Sequence, residues 1–206
     1  MQSAILHTSI ESPVIVKPLV HQPVSRSSGL LMRRVTSVHE QREADYLVRR
    51  MYVWRGYRVG DSSSERQAGK GVTLAAWQDD ELAATLTLNL DGENGLLSES
   101  LYPQEIATLR SKQGRLCEYS RLAVDPNLSS PLLLENFFRF AYNFARSQLH
   151  CSDAVIEVNP RHARYYKREL GFTDLGPLKI CSRVDAPAML LHRNLRNPLT
   201  DQLAVA

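Results

Sequence analysis

The chain has 206 residues, enough for one domain with a sizeable core, and 43% of them are apolar. A charged fraction of 23% beside eight Tyr, five Phe and two Trp excludes a disordered chain, and no apolar run approaches membrane-spanning length. The net charge is only +3, yet 20 of the 25 basic residues are Arg, whose forks hold carboxylate or phosphate bidentately, so an acidic or phosphorylated partner competes with plain surface pairing.

Residues 1–28 carry Pro13, Pro18, Pro23 and several Ser without a sustained period, and read as an N-terminal arm. They show neither a basic n-region nor a continuous apolar stretch, so a soluble, cytoplasmic protein is expected. Residues 30–35 suit a first strand. Ser37 and Glu40 form a capping box, and Ala44, Leu47, Val48, Met51 and Tyr52 then fall on one helical face. A polar loop from Asp61 to Gly71 follows. Strands are expected at Val72–Gln78 and Glu81–Leu90, joined by Asp79-Asp80, then a short helix at Tyr102–Lys112 and a strand at Arg115–Val124. Ser130 and Pro131 open the next helix, to about residue 149, with Leu133, Phe137, Phe140 and Phe144 as its apolar face. Asp153–Val158 is a strand, and Asn159-Pro160 caps a helix ended by Gly171. Two strands at about 173–184 and 186–193 complete an α/β (α+β) domain spanning 29–194, followed by a tail at 195–206. A mixed sheet with helices on both faces is expected. The three cysteines stand far apart with no zinc-type spacing, so no metal site is expected, and no nucleic-acid motif occurs.

At Glu118-Tyr119-Ser120-Arg121-Leu122-Ala123-Val124 the sequence resembles the E-x-S-R-[LF]-x-V central strand of the autoinducer (acyl-homoserine lactone) synthases and of their relatives, the N-acyl amino acid synthases. Asn159-Pro160-Arg161-His162-Ala163-Arg164-Tyr165-Tyr166, with Gly171-Phe172 beyond, is similar to the P-x-H-A-x-x-Y…GF run of the latter group. The resemblance implies an N-acetyltransferase-type fold: a largely antiparallel sheet whose central strand pair splays apart. It also implies acyl carrier protein as the donor, through its acyl-phosphopantetheine arm, with no tightly bound cofactor. The loop after that strand, Asp125 to Pro131, agrees. It contains no glycine and a Pro without an N–H, so a coenzyme A diphosphate has no backbone cradle. Ser129 and Ser130 at the helix N-terminus could take one phosphate, or simply cap.

Aminolysis of a thioester needs a neutral amine, a stabilised oxyanion and a proton for the thiolate. In the implied fold, the backbone of Leu122, Ala123 and Val124 lines the pantetheine and supplies an N–H to the oxyanion. Strand alternation places Glu118 and Arg121 on opposite faces. Glu118 is then the base candidate, and Arg121 secures carboxylates or meets the donor phosphate; structural ion pairing is the other reading of each. Tyr166 stands where a thiolate-protonating tyrosine is expected, with Tyr165 as substitute and His162 as a structural first-turn residue. Leu132, Leu134 and Phe138 exceed the main apolar stripe of their helix, so a bound acyl chain or the N-terminal arm should cover them. The autoinducer synthases carry an acidic E-x-D-x-[YF]-D loop, which Asp61-Ser62-Ser63-Ser64-Glu65-Arg66-Gln67 does not match. Arg50, Tyr52, Trp54 and Arg55, with Tyr57 and Arg58, form a basic aromatic cluster suited to an aromatic amino acid, as in the long-chain N-acyltyrosine synthases, or to an ordinary amphipathic helix end. The expected activity is long-chain acyl transfer from acyl carrier protein to an amino acid. The alternatives are an acyl-homoserine lactone synthase, an acyl-CoA-dependent N-acetyltransferase and a basic binding module.

Overall fold

A computed structural model describes residues 29–58 and 71–197. The proposed arm, the loop at 61–67 and the last nine residues lie outside them. In chain order the elements are β1 (Leu30–Arg34), α1 (Val38–Trp54), β2 (Gly71–Gln78), β3 (Glu81–Leu90), a 3₁₀ turn (Leu97–Ser100) and α2 (Pro103–Arg110). Then come β4 (Leu116–Val124), α3 (Pro131–Asn143, extended by a π-helical turn Phe144–Gln148), β5 (Asp153–Val158), α4 (Pro160–Leu170), β6 (Thr173–Asp174), β7 (Lys179–Cys181) and β8 (Ala186–Asn194). The strand order is β1-β2-β3-β4-β5-β8-β6, with β7 also on β8; only β4 and β5 run parallel.

Local chemistry explains most element ends. Ser37 Oγ accepts from Glu40 N at 3.1 Å, and the Glu40 carboxylate accepts from Thr36 N at 3.0 Å and from Arg33 at 2.7 Å. The Arg33 guanidinium, helped by the Thr36 amide, pulls the Glu40 carboxyl down to about 2. The α1 stripe buries Ala44, Leu47, Val48 and Met51, as its period requires. Asp79 and Asp80 both take positive φ, the twist of a tight two-residue hairpin.

Two expectations change, and one element appears that none anticipated. The buried stripe of α3 is Leu133, Phe137, Phe138, Ala141 and Tyr142, while Phe140 and Phe144 are only partly covered. The strand expected at 173–184 is two short strands. Between them Gly176 rests on the Tyr102 ring, where a Cβ would come within 2.6 Å, and the Tyr102 hydroxyl donates to Pro177 O and Ala188 O. The 3₁₀ turn has no local sequence signal; a buried carboxylate holds it, as described below.

Helices α3 and α4 cover one sheet face, around Leu74, Leu86, Leu88, Tyr119 and Ile156. The other face is covered by α2 over Leu116, Val155 and Leu190, and by α1 over Ala123. Tyr119 and Ala123 stand four residues apart in one strand and nevertheless face opposite ways. A β-bulge is the reason. Thr87 pairs with Ser120 and Thr85 with Ala123, so β4 holds one extra residue between them, and Arg121 sits there at φ +53.

Candidate active site

The ladder between β4 and β5 runs from Leu116↔Asp153 to Tyr119↔Ile156 and stops, although β4 continues to Val124 and β5 to Val158. The strands part there. The opening is a cleft of about 520 Å³. Leu122, Ala123 and Val124 form one wall, and Ser129, Leu134 and Phe138 come from the α3 side. Tyr165, Tyr166 and His162 come from α4, and Tyr52, Trp54 and Arg55 from the end of α1. A second cavity of about 120 Å³ adjoins it, sharing Tyr52, Tyr57, Ser120, Arg121, Glu157 and Asn159. Glu118, Cys181, Arg183 and the Ala186–Ala188 stretch of β8 close its far side.

The bulge corrects the reading of the E-x-S-R block. Arg121 does not point away from Glu118. It shares the α1 face, where its Nη2 pairs with Asp45 at 2.7 Å, and both residues border the second cavity. Glu118 is 2% exposed. Its carboxylate accepts from Leu97 N at 2.8 Å and Ser98 N at 2.9 Å. Burial pushes its pKa up, while these hydrogen bonds oppose the rise. Arg183 grips the same turn, donating through Nη1 to Leu97 O and to Ser100 Oγ. A carboxylate on its N–H groups and a guanidinium on its carbonyl thus clamp the 3₁₀ turn.

Tyr166 is buried, edge-on to Phe138 at 5.7 Å and to Phe172 at 6.2 Å. Burial raises its pKa far above neutrality, so the phenol stays protonated and offers its O–H as a donor beside the cleft. Tyr165 is pushed to about 12, again chiefly by burial. His162 Nε2 lies 2.7 Å from Arg55 Nη1. Arg can only donate, so Nε2 accepts; burial first, then the Arg55 and Arg161 charges, lower the pKa and keep the ring neutral. This bond fixes Arg55 at the cleft mouth.

Three expected site residues stand elsewhere. Arg50 pairs with Asp125 in a groove along the outer side of α1, outside both cavities, because the helical turn carries it away from Tyr52. Leu132 is 65% exposed, turned from the cleft that Leu134 and Phe138 line. Ser130 is the N-cap, its Oγ accepting from Leu133 N at 3.0 Å, and only Ser129 reaches the cleft. Sequence reasoning missed Glu157, Arg183 and Asn159. Glu157 and Asn159 stand beside the recognised P-x-H-A block, which was a usable signal; Arg183 lies in a turn with none.

A parted central strand pair, an apolar cleft along it and a buried tyrosine beside it define an N-acyltransferase of the N-acetyltransferase-type fold. The family model of the N-acyl amino acid synthase FeeM matches residues 43–194. The chain belongs to this N-acyl amino acid synthase family. Among solved structures it is similar to FeeM, an N-acyl amino acid synthase from uncultured soil microbes, with TM-score 0.75 and 28% identity over 82% of this chain and 91% of that one. It shares its fold with the AHL synthase LasI (TM-score 0.60, 15% identity, 85% and 94% covered). An N-acetyltransferase from Staphylococcus aureus Mu50 gives TM-score 0.57 at 16% identity, with 82% and 99% covered. No curated protein matches the chain. No helix among the described residues is long and apolar enough to cross a membrane, and none of their side chains cluster as metal ligands.

Proposed function

We propose that the enzyme transfers a long-chain fatty acyl group from acyl carrier protein to the amino group of a free amino acid, with an aromatic one such as tyrosine preferred. The observation that carries this reading is the cleft itself. It leads from the glycine-free loop at Pro126 and Ser129 to an apolar end at Leu134 and Phe138, a path suited to a pantetheine arm followed by an alkyl chain. The loop also begins with Asp125, whose carboxyl the Asn127 amide and then Arg50 hold below its ordinary range, an unwelcoming start for a diphosphate.

In this reading the thioester carbonyl lies against the backbone of Leu122 to Val124. The neutral amine attacks, the C–N bond forms and the C–S bond breaks. Tyr166 gives its proton to the departing thiolate, and Glu118 accepts the amine proton through a water in the second cavity.

The experiment offers the purified protein long-chain acyl carrier protein or the matching acyl-CoA, with an amino-acid mixture and S-adenosylmethionine together, and reads products by mass spectrometry. An acyl amino acid formed far faster from the carrier supports the reading. Equal kcat/KM with acyl-CoA overturns the donor, and an acyl lactone from S-adenosylmethionine overturns the acceptor.

A further inference from the structure

The second cavity holds an ion pair that the acyl-transfer steps do not use. Glu157 is one residue past the last β4–β5 pair, so it leaves the strand where the two cavities meet. Its Oε2 accepts from Arg183 Nη2 at 2.8 Å, and the two side chains are only 11% and 27% exposed. Arg183 Nη1 is fully occupied by Leu97 O and by Ser100 Oγ at 3.0 Å. Its Nε and one Nη2 hydrogen have no acceptor among the described residues. A carboxylate offers about four acceptor positions, and Glu157 meets Arg183 and the Cys181 thiol, which burial and then Glu157 hold protonated near 11.

The remaining charges of the cavity are engaged: Arg121 with Asp45, and Glu118 with the amides of Leu97 and Ser98. What remains is a cation with spare donors beside an anion with spare acceptors, half-sequestered from water. One ligand class completes both at once, a molecule bearing an ammonium and a carboxylate on the same carbon.

We propose that the Glu157–Arg183 pair is the docking point of the acceptor and reads it as an α-amino acid. Arg183 takes the α-carboxylate, and Glu157 holds the α-ammonium before it is deprotonated. The acceptor side chain then lies against Tyr52, Tyr57 and Pro187. This rests on the proposed acylation of a free amino acid and names the residues that select it.

The test uses tyrosine and leucine, each beside its decarboxylated amine, tyramine and isopentylamine. Acyl transfer is measured, and so is donor-free binding by saturation-transfer NMR. The wild type should favour each amino acid over its amine by ~10- to 150-fold, the range for a hydrogen bond to a charged group. Arg183→Gln should bring that ratio near one through the acceptor KM, leaving the donor KM unchanged, with Arg183→Lys between. Glu157→Gln should weaken acid and amine alike, because both carry the ammonium. A merely structural role would lower kcat for all acceptors and leave the ratio intact. A ratio unchanged in Arg183→Gln, or a wild type binding tyramine as well as tyrosine, overturns the inference. If no donor yields an acyl amino acid, the proposed function falls, and the binding ratios still decide whether this pair reads the α-carboxylate.

Discussion

Leu134 offers a direct measure of the acyl cleft. It stands half-buried on the α3 wall, whereas its neighbour Phe138 is 2% exposed and packed edge-on to Tyr166. Leu134→Trp therefore projects an indole into open space. Phe138→Trp would overpack the core and cost about 1–3 kcal/mol of stability. Each methylene removed from water contributes about 0.8 kcal/mol, so the wild type should gain roughly fourfold in kcat/KM per added carbon while the chain still fits. An indole that displaces about four methylenes removes about 3 kcal/mol from the longest donors, roughly 200-fold, and leaves short ones nearly untouched. The assay is kcat/KM against a ladder of acyl carrier proteins from about eight to about sixteen carbons, with urea unfolding as the control for folding. An unchanged slope and optimum in a normally folded Leu134→Trp protein would refute the placement of the chain.

Glu118→Gln should remain folded and lose ~10²–10⁴ in turnover, the usual loss for a positioned base, and a rate equal to wild type across pH would exclude that role. The rising limb of the wild-type pH profile should lie above the ordinary carboxylate range, because burial raises this pKa, and the Gln variant should lack it. Tyr166→Phe should lower kcat by ~10²-fold or more with little change in the donor KM; a kcat matching wild type would show that solvent protonates the thiolate. In the fold the Arg33 guanidinium and the Thr36 amide hold the Glu40 carboxyl at about 2, below the 4.5 of a free glutamate, so its support for the α1 N-terminus is complete above pH 4.5 and declines as pH falls toward 2. Urea midpoints of wild type and Glu40→Gln should thus converge on acidification, and parallel curves would contradict the capping box. Carrier-dependent turnover should also weaken with added salt, since an Arg-rich enzyme meeting an acidic carrier relies on screened attraction.

The elements whose causes are local could be read from the chain alone. The capping box at Ser37, the α1 stripe and the Asn159-Pro160 start of α4 each depend on residues within a few positions. Arg121 shows where that reasoning stops. Strict alternation assigns it to the face opposite Glu118, and Arg carries no preference for positive φ that would announce a bulge. Its conformation answers to the register with β3 and to Asp45, 76 positions away. Glu157 and Arg183 are likewise joined only by the fold, across 26 positions. Leu132 and Arg50 were misplaced for a simpler reason. A helix turns 100° per residue, so neighbours of a site residue in sequence face elsewhere.

The turn at Leu97–Ser100, held by Glu118 at its amides and by Arg183 at a carbonyl, gives the second cavity a stiff wall, and if the acceptor docks there that wall should not follow it. A pre-ordered wall loses little entropy when it binds, which favours affinity for an acceptor that fits. The same stiffness should make the enzyme a poor generalist. An oversized side chain should be refused, because the Glu118 clamp cannot loosen without stranding a buried carboxylate. Engineering a wider acceptor range should therefore trim the opposite side, at Tyr57 or Pro187, and leave the turn alone.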